Sequence, residues 1–146
     1  MSAAATASAP TQRHIFISHA DEDRLMSIEV VEALEADLFP CWIAHRDIPP
    51  GASWMGAIVD AIVASRLMIV VVSKYSIASE NVLREVTIAA DERVPFLPFC
   101  VDGALFSKDF RFFFSTAHRL NAFNLPQQEA IGLLRASVAG RLGVTR

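Results

Sequence analysis

The run LMIVVV, at residues 67–72, constrains the fold of this chain more than any other segment. It shows no alternation of apolar and polar side chains, which is typical of a central parallel strand covered by helices on both faces. A membrane-spanning helix needs about 20 apolar residues, so the run is too short to be one. We therefore expect it to lie in the middle of a parallel sheet in a soluble protein.

Shorter apolar segments on either side of this run alternate with segments of helical periodicity. The predicted strands lie at residues 14–18, 41–44, 67–73, 94–101 and 117–120. The predicted helices carry Leu25, Ile28, Val31 and Leu34 at helical spacing, carry Ile58, Val59, Ile62 and Val63 on one face, and cover residues 79–92 and 126–142. A polar, proline-rich loop is predicted at residues 45–53. This alternation predicts an α/β fold of the flavodoxin-like, doubly wound kind, with a five-stranded parallel sheet and helices on both faces.

The order of the strands decides where a ligand is expected to bind. In the flavodoxin-like order the chain reverses direction between strands one and three, and ligands bind at the carboxyl ends of the strands beside that reversal. Residues 18–23 and 73–76 follow those two strands. We therefore expect these two segments to face each other across a crevice.

Composition limits the chain to one domain and to few functional classes. Its 146 residues, 53% of them hydrophobic, suffice for one domain with a large core. The first eleven residues are small and polar, so we expect a disordered leader at residues 1–11, a domain at residues 12–146, no export signal and a cytoplasmic protein. Cys41 and Cys100 lie in apolar stretches, which favours buried, reduced thiols. A net charge of −3 from scattered residues indicates neither nucleic-acid nor membrane binding.

Several ligand-binding motifs that are common in this topology are missing from the sequence. Neither of the glycine-rich phosphate loops GxGxxG and GxxxxGK[ST] is present. A response-regulator receiver needs an aspartate after the third strand, where this chain has Ser73, so the acidic residues 21–23 favour a helix N-terminus. The four histidines show no metal-ligand spacing with one another or with cysteine, and no GxSxG elbow marks a catalytic serine. We therefore expect no metal and no bound cofactor.

Glu85 occupies an unusual place on the helix predicted after the third strand. The apolar face of that helix consists of Val82, Val86, Ala89 and Ala90. Glu85 falls at the margin of this face, where a carboxylate is partly desolvated and can stabilise positive charge that develops in the crevice. The alternative is a solvated glutamate, or one paired with Arg84 or Arg93. Helical spacing alone leaves both interpretations open.

Three motifs occur in an order that is typical of one protein family. They are HIFISHADED, CWIAHRDIPPGASW and MIVVVSKYSIASENVLREV. They resemble the first strand, the second strand with its BB loop, and the third strand with the catalytic helix of Toll/interleukin receptor (TIR) domains of the bacterial type. HRLNAF is similar to the family's late segment as well. The resemblance covers residues 13–124 and implies the same flavodoxin-like fold.

The resemblance implies one of two functions. Enzymatic TIR domains cleave NAD at the nicotinamide glycosidic bond, and others are non-enzymatic interaction scaffolds in signalling. The enzymes require a glutamate at the position of Glu85, so the resemblance assigns Glu85 the catalytic role and makes NAD the substrate. Nicotinamide leaves as a neutral molecule and the transition state resembles an oxocarbenium ion, so one carboxylate is sufficient. The product is ADP-ribose if water attacks and a cyclic ADP-ribose if an adenine nitrogen attacks.

One departure from the family pattern lies next to Glu85. Many enzymatic members have a Trp-Cys pair shortly before the glutamate, where this chain has Asn81 and Val82. The segment from Ser79 to Glu85 fits the Ser-x-x-Val-x-x-Glu arrangement of other bacterial members, which retains the glutamate.

The resemblance also implies substrate contacts and partners. The residues that it assigns to substrate binding are Ser18, His19, Arg46, Asp47, Ile48, Trp54 and Ser79. Arg46 and Asp47 have the alternative of pairing with each other, and Trp54 either stacks on a base or packs inward. The loop at residues 46–54 is expected to join TIR domains into a homo-oligomer or filament in which one loop completes the neighbouring site. This interpretation describes a NAD-cleaving effector of bacterial antiphage immunity, with a sensor domain in the full-length protein.

Overall fold

The computed structural model describes residues 13–143 and confirms the alternation of strands and helices. The predicted leader at residues 1–11 lies outside the described residues, as do Gln12 and residues 144–146. The strands are β1 (His14–Ser18), β2 (Cys41–Trp42), β3 (Ser65–Val72), β4 (Phe96–Cys100) and β5 (Leu120–Asn121). The helices are α1 (Arg24–Ala36), α2 (Ala44–Asp47), α3 (Trp54–Val63), α4 (Glu80–Asp91), α5 (Lys108–Phe113) and α6 (Gln127–Leu142).

All five strands are parallel, and they lie in the order β2-β1-β3-β4-β5. This is the flavodoxin-like order predicted from the sequence, in which the chain reverses direction between β1 and β3. Residues 67–72 form most of the central strand, and all of them are buried because helices cover both faces. The register pairs Ser18, the last residue of β1, with Val70 of β3. The carboxyl ends of the two strands therefore lie side by side.

Each strand directs its side chains alternately into two cores, one on either face of the sheet. Ile15 and Ile17 of β1 belong to the core beneath α1 and α6. Phe16, between them, belongs to the core beneath α3, α4 and α5. Burying one large apolar side chain contributes about 1.5–3 kcal/mol, so the two cores make the sheet a rigid support for its strand ends. No helix among residues 13–143 is long and apolar enough to cross a membrane.

Two helices turn a different face to the sheet from the one that the sequence pattern predicts. The buried residues of α1 are Ser27, Val30, Val31 and Leu34. Leu25, predicted on that face, lies on the opposite side of the helix at about 100° per residue and is 77% exposed. Val59 and Val63 of α3 are also exposed, whereas Ile62 is buried. α3 has a single charged residue, Asp60, so its pattern does not distinguish the inner face from the outer face.

Several predicted boundaries differ from those in the structure, most clearly around β2 and at the start of β5. The loop predicted at residues 45–53 begins as helix α2, and β2 ends at Trp42, because Asp47 accepts a hydrogen bond from the Ile43 N–H at 2.9 Å and closes a helical turn. β5 begins at Leu120 and not at residue 117, because the Ala117 N–H is bonded to the Phe114 carbonyl in the turn after α5.

Candidate functional site

Helix α4 brings Glu85 to the margin between the core and a groove. Ser79 caps the helix, since its Oγ accepts a hydrogen bond from the Val82 N–H at 3.2 Å. Val82, Val86 and Ala89 face the sheet and are buried. Glu85 precedes Val86 by one residue and lies one turn before Ala89, so its side chain is partly buried at the edge of this face. Glu85 therefore lies at the margin that helical spacing predicts.

Ser18 contacts Glu85 from the end of strand β1. Its hydroxyl donates a hydrogen bond to Glu85 Oε1 at 2.7 Å. Ser18 is only 1% exposed, which means that its hydroxyl is directed into the protein. Burial raises the pKa of the Glu85 carboxyl to about 7, while the hydrogen bond from Ser18 acts to lower that pKa. Near neutral pH the carboxyl is therefore present in both its charged and its neutral form.

Glu85 opens onto a groove between α3 and α4 with a volume of about 540 Å³. The groove is lined by Trp54, Met55, Ile58, Val59, Asn81, Arg84, Glu85 and Ile88. Sites for small molecules range from about 300 to 1,000 Å³ and are mostly apolar, so this groove has the size and character of one. Trp54 is 61% exposed and lies on the wall of the groove, so it does not pack inward.

No cation neutralises Glu85 among residues 13–143. Arg84, one of its two predicted partners, lies 3.6 Å from Glu80 and donates a hydrogen bond to Asn81 Oδ1 at 3.0 Å. Neither Glu85 nor Arg93 takes part in any ion pair of the described chain. Glu85 is therefore not paired with an arginine, and its carboxylate can stabilise positive charge on a ligand.

A second cavity, of about 350 Å³, lies at the carboxyl ends of β1 and β3, where the topology predicts a ligand. Its polar and charged lining residues are His19, Asp21, Glu22, Lys74, Tyr75, Ser79 and Asn81. We call it the polar crevice. Asn81 lines both the crevice and the groove, so the two cavities adjoin at this residue.

Two serines at the strand ends are bonded crosswise. Ser18 ends β1, and its hydroxyl donates to Glu85 on the helix that follows β3. Ser73 follows β3, and its hydroxyl donates at 2.5 Å to Oδ2 of Asp23, which follows β1. This pairing brings residues 18–23 and 73–76 together as predicted. Burial raises the pKa of Asp23 too, and Ser73 acts to lower it. Asp23 lines neither the groove nor the crevice, so Glu85 is the member of these pairs that faces a cavity.

His19 and Ser79, two of the predicted substrate contacts, lie at the polar crevice. His19 Nδ1 is 2.6 Å from the Ala20 carbonyl oxygen, and its ring meets that of His45 edge-on at 5.7 Å. The Ser79 hydroxyl accepts the capping hydrogen bond of α4, so its first role is structural. No group of three His, Cys, Asp or Glu side chains within the described residues is placed to hold a metal ion.

Arg46, Asp47 and Ile48 lie outside both the groove and the crevice. Arg46 forms an ion pair with Asp47 Oδ1 at 2.8 Å and another with Glu35 Oε1 at 2.9 Å. Arg46 and Asp47 therefore bind each other, which is the alternative that the sequence left open. The hydrogen bonds from Arg46 to Glu35 and Asp47 raise the pKa of Arg46. Ile48 lines a separate cavity of about 260 Å³ beneath the loop, which it shares with Trp54.

Sequence reasoning missed several residues around Glu85. Asn81 and Ile88 lie four residues before it and three after it, so helical spacing was a sufficient signal to place them on the same side of α4. Met55 lies across the groove on α3, and no local signal could have found it, because the orientation of α3 depends on tertiary packing.

Residues 15–134 of the chain match the model of the TIR domain family. The chain belongs to the TIR domain family. The match continues beyond the residues 13–124 covered by the motifs and extends into α6.

Proteins similar to this chain include two animal proteins, a resistosome and a bacterial N-glycosidase. A curated relative, the stimulator of interferon genes protein of Magallana gigas, is 36% identical over 84 residues, which are 57% of this chain and 20% of that protein. This chain thus matches about a fifth of the length of that relative.

Solved structures agree with the TIR fold. The TIR domain of the Toll-related receptor TRR-2 of Hydra magnipapillata superposes with a TM-score of 0.70 and 21% identity, over 87% of this chain and 94% of that one. The TIR domains of the activated Roq1 resistosome give 0.69 and 16%, over 86% and 99%. The CMP N-glycosidase BcmB of Clostridium botulinum gives 0.62 and 14%, over 84% and 98%. At these identities the three likenesses show a shared fold.

Proposed function

We propose that this TIR domain cleaves the bond between nicotinamide and ribose in NAD and releases nicotinamide together with ADP-ribose or a cyclic ADP-ribose. The observation that carries the proposal is the Glu85 carboxyl, which opens onto an apolar groove and forms no ion pair among the described residues. The resemblance to enzymatic TIR domains supports the proposal too, because it assigns Glu85 to the position of the glutamate that those enzymes require.

The reaction suits a site with a single carboxylate. The bond between the nicotinamide nitrogen and ribose C1′ breaks, its electron pair stays on nicotinamide, and nicotinamide leaves as a neutral ring. Positive charge is left on the ribose, and the ionised Glu85 stabilises it across the low-polarity groove. Water then attacks C1′ and loses a proton to solvent, or an adenine nitrogen attacks and gives the cyclic product.

The two adjoining cavities offer different surroundings to the two ends of a dinucleotide. Trp54 on the groove wall provides an aromatic surface for the nicotinamide ring beside Glu85. The polar crevice carries Lys74, whose ammonium group suits the phosphates. Both cavities are within the usual size of a ligand site, at about 540 and 350 Å³.

The name of one structural neighbour supports this class of reaction. The Clostridium botulinum protein is a CMP N-glycosidase, so a chain of this fold cleaves a bond between a base and a ribose. We extend that reaction class to the present chain because its groove presents a carboxyl, and we assign NAD as the substrate from the resemblance to enzymatic TIR domains.

We further propose that copies of the chain assemble through the loop at residues 46–54, in a cytoplasmic effector of bacterial antiphage immunity controlled by a sensor domain. Pro49, Pro50 and Gly51 at the tip of this loop are exposed, and Gly51 adopts φ of +81°, which few other residues tolerate. Ion pairs of Arg46 anchor the base of the loop. The Roq1 resistosome is an assembly that contains TIR domains.

The test is release of nicotinamide from NAD by concentrated protein and by protein fused to an oligomerising tag. We expect release by the wild type and a loss of at least about 100-fold in Glu85→Ala, since removing an electrostatic contact to the transition state typically costs that much. Glu80→Ala is the matched control, because Glu80 lies on the same helix, is 87% exposed and does not line the groove.

Two outcomes contradict the proposal in different ways. Turnover that survives Glu85→Ala refutes the catalytic role of Glu85. No turnover even in the enforced assembly refutes NAD cleavage and favours a non-enzymatic scaffold that binds other TIR domains through the exposed loop.

A further inference from the structure

We infer that Ser18 is a positioning residue, which holds the Glu85 carboxyl in the groove and keeps it ionised for the reaction. The inference rests on the proposed function for its catalytic meaning. It goes beyond that function because it assigns the position and the charge of the Glu85 carboxyl to a side chain that does not touch the substrate.

The burial of Ser18 argues against the substrate contact that the family resemblance suggests. The side chain is 1% exposed and lines neither the groove nor the crevice. Its hydroxyl hydrogen is directed to Glu85 Oε1 at 2.7 Å. Ser18 thus acts on the substrate only through Glu85.

The position of Ser18 makes its hydroxyl a rigid donor. It ends β1, and its backbone is in register with Val70 of the central strand β3. Glu85 belongs to a different element, α4, and lies 67 residues further along the chain. A donor on a buried strand holds a carboxylate on a neighbouring helix more firmly than a donor on a loop would.

No other group among the described residues takes over this task. The side chains of α3 that face Glu85 across the groove are Trp54, Met55, Ile58 and Val59, none of which is charged. On α4, Arg84 is bonded to Asn81 and lies beside Glu80. His19, which follows Ser18 on the chain, is directed at the Ala20 carbonyl and lines the crevice. Within residues 13–143 the hydrogen bond from Ser18 is the one that the Glu85 side chain accepts.

A hydrogen bond donated to a carboxyl favours its charged form, whereas burial favours its neutral form. In this protein the two effects oppose each other, and burial is the larger, with a pKa of about 7 for Glu85. Loss of the Ser18 hydroxyl leaves burial unopposed. Hydrogen bonds to charged groups are strong enough for the midpoint of the carboxyl titration to rise by about one pH unit.

The experiment measures the titration of the Glu85 side-chain carboxyl by carbon NMR on the full chain without substrate. The signal is assigned by its absence in Glu85→Gln. We expect Ser18→Ala to move the midpoint upward by about one pH unit. The matched control is Ser65→Ala, because Ser65 is fully buried and donates to the Ile62 carbonyl at 2.7 Å, away from the groove. Ser18→Cys retains a weak donor of similar shape and should give a midpoint between those of the wild type and Ser18→Ala.

The same variants are then assayed with NAD. We expect the ratio of wild-type to Ser18→Ala kcat/KM to grow about tenfold as the pH falls from 9 to 6. The reason is that Glu85 has the higher pKa in the variant, so it becomes protonated there at a higher pH than in the wild type. A loss that is equal at all pH values indicates a structural role and overturns the inference. So does an unchanged midpoint in Ser18→Ala, or an equal change in Ser65→Ala. Absence of NAD cleavage by the wild type refutes the proposed function alone, since the titration needs no substrate.

Discussion

Replacing Glu85 by glutamine should stabilise the protein at alkaline pH. Burial raises the pKa of the Glu85 carboxyl from its ordinary value of 4.5 to about 7, so the folded state binds the proton more tightly than the unfolded chain. The stability that this proton contributes is complete below pH 4.5 and is lost as pH rises to 7. At about 1.4 kcal/mol per pH unit, the loss amounts to about 3 kcal/mol. Glutamine keeps the shape and can accept the hydrogen bond from Ser18, but it never ionises.

The assay is urea unfolding of the wild type and Glu85→Gln at several pH values between about 4 and 8. The difference in free energy of unfolding should move by up to about 3 kcal/mol in favour of the variant over this range. Comparing the two proteins removes the effect of all other titrating groups. Glu80→Gln serves as the control for the loss of a carboxylate from α4, since the Glu80 side chain is 87% exposed. A difference for Glu85→Gln that stays constant would show that Glu85 is solvated in the folded protein.

Three further predictions concern stability and reactivity. Arg46→Ala removes ion pairs with Glu35 and Asp47, and because the Arg46 side chain is 42% exposed we expect a loss of only about 1 kcal/mol in urea unfolding; an unchanged stability would contradict the anchoring of the loop. Ser79→Ala removes the cap of α4 and should lower the stability by about 1 kcal/mol, whereas Ser79→Asp should retain the cap, so equal losses of Tm would refute the capping role. Burial raises the pKa of Cys41 to about 12, so the thiol should react with a thiol reagent only on unfolding, and rapid labelling of the folded protein would disprove this.

The fold was predictable where the sequence pattern depends on burial over a whole strand. The apolar run at residues 67–72 has one stable place, the centre of a parallel sheet, and the structure puts it there. Patterns that depend on which side of an apolar helix faces inward were not sufficient, as Val59 and Val63 show. The short helix α2 also escaped prediction, because it depends on one side-chain hydrogen bond from the Ile43 N–H to Asp47.

In the candidate site, too, local spacing was sufficient for one feature and tertiary packing decided the other. The position of Glu85 at the margin of α4 follows from spacing within twelve residues, and the structure agrees. Its contact with Ser18 joins residues 67 positions apart, so only the strand register and the packing of α4 could reveal it. The resemblance implies a substrate contact for Ser18, which stays a prediction, whereas the structure shows that Ser18 is buried and bonded to Glu85.

The crosswise serine pairs also explain why Glu85, among the partly buried carboxyls of the described chain, is the better candidate for function. Asp23 and Glu85 are both raised in pKa by burial, and each accepts a hydrogen bond from a serine at the end of a central strand. Asp23 joins the two strand ends and lines neither the groove nor the polar crevice, so its hydrogen bond with Ser73 gives it a structural role. Burial of the Glu85 carboxyl also has a free-energy cost, but Glu85 lies at the wall of an apolar groove. A partly desolvated carboxyl on the wall of a cavity is what a site that stabilises positive charge on a ligand requires.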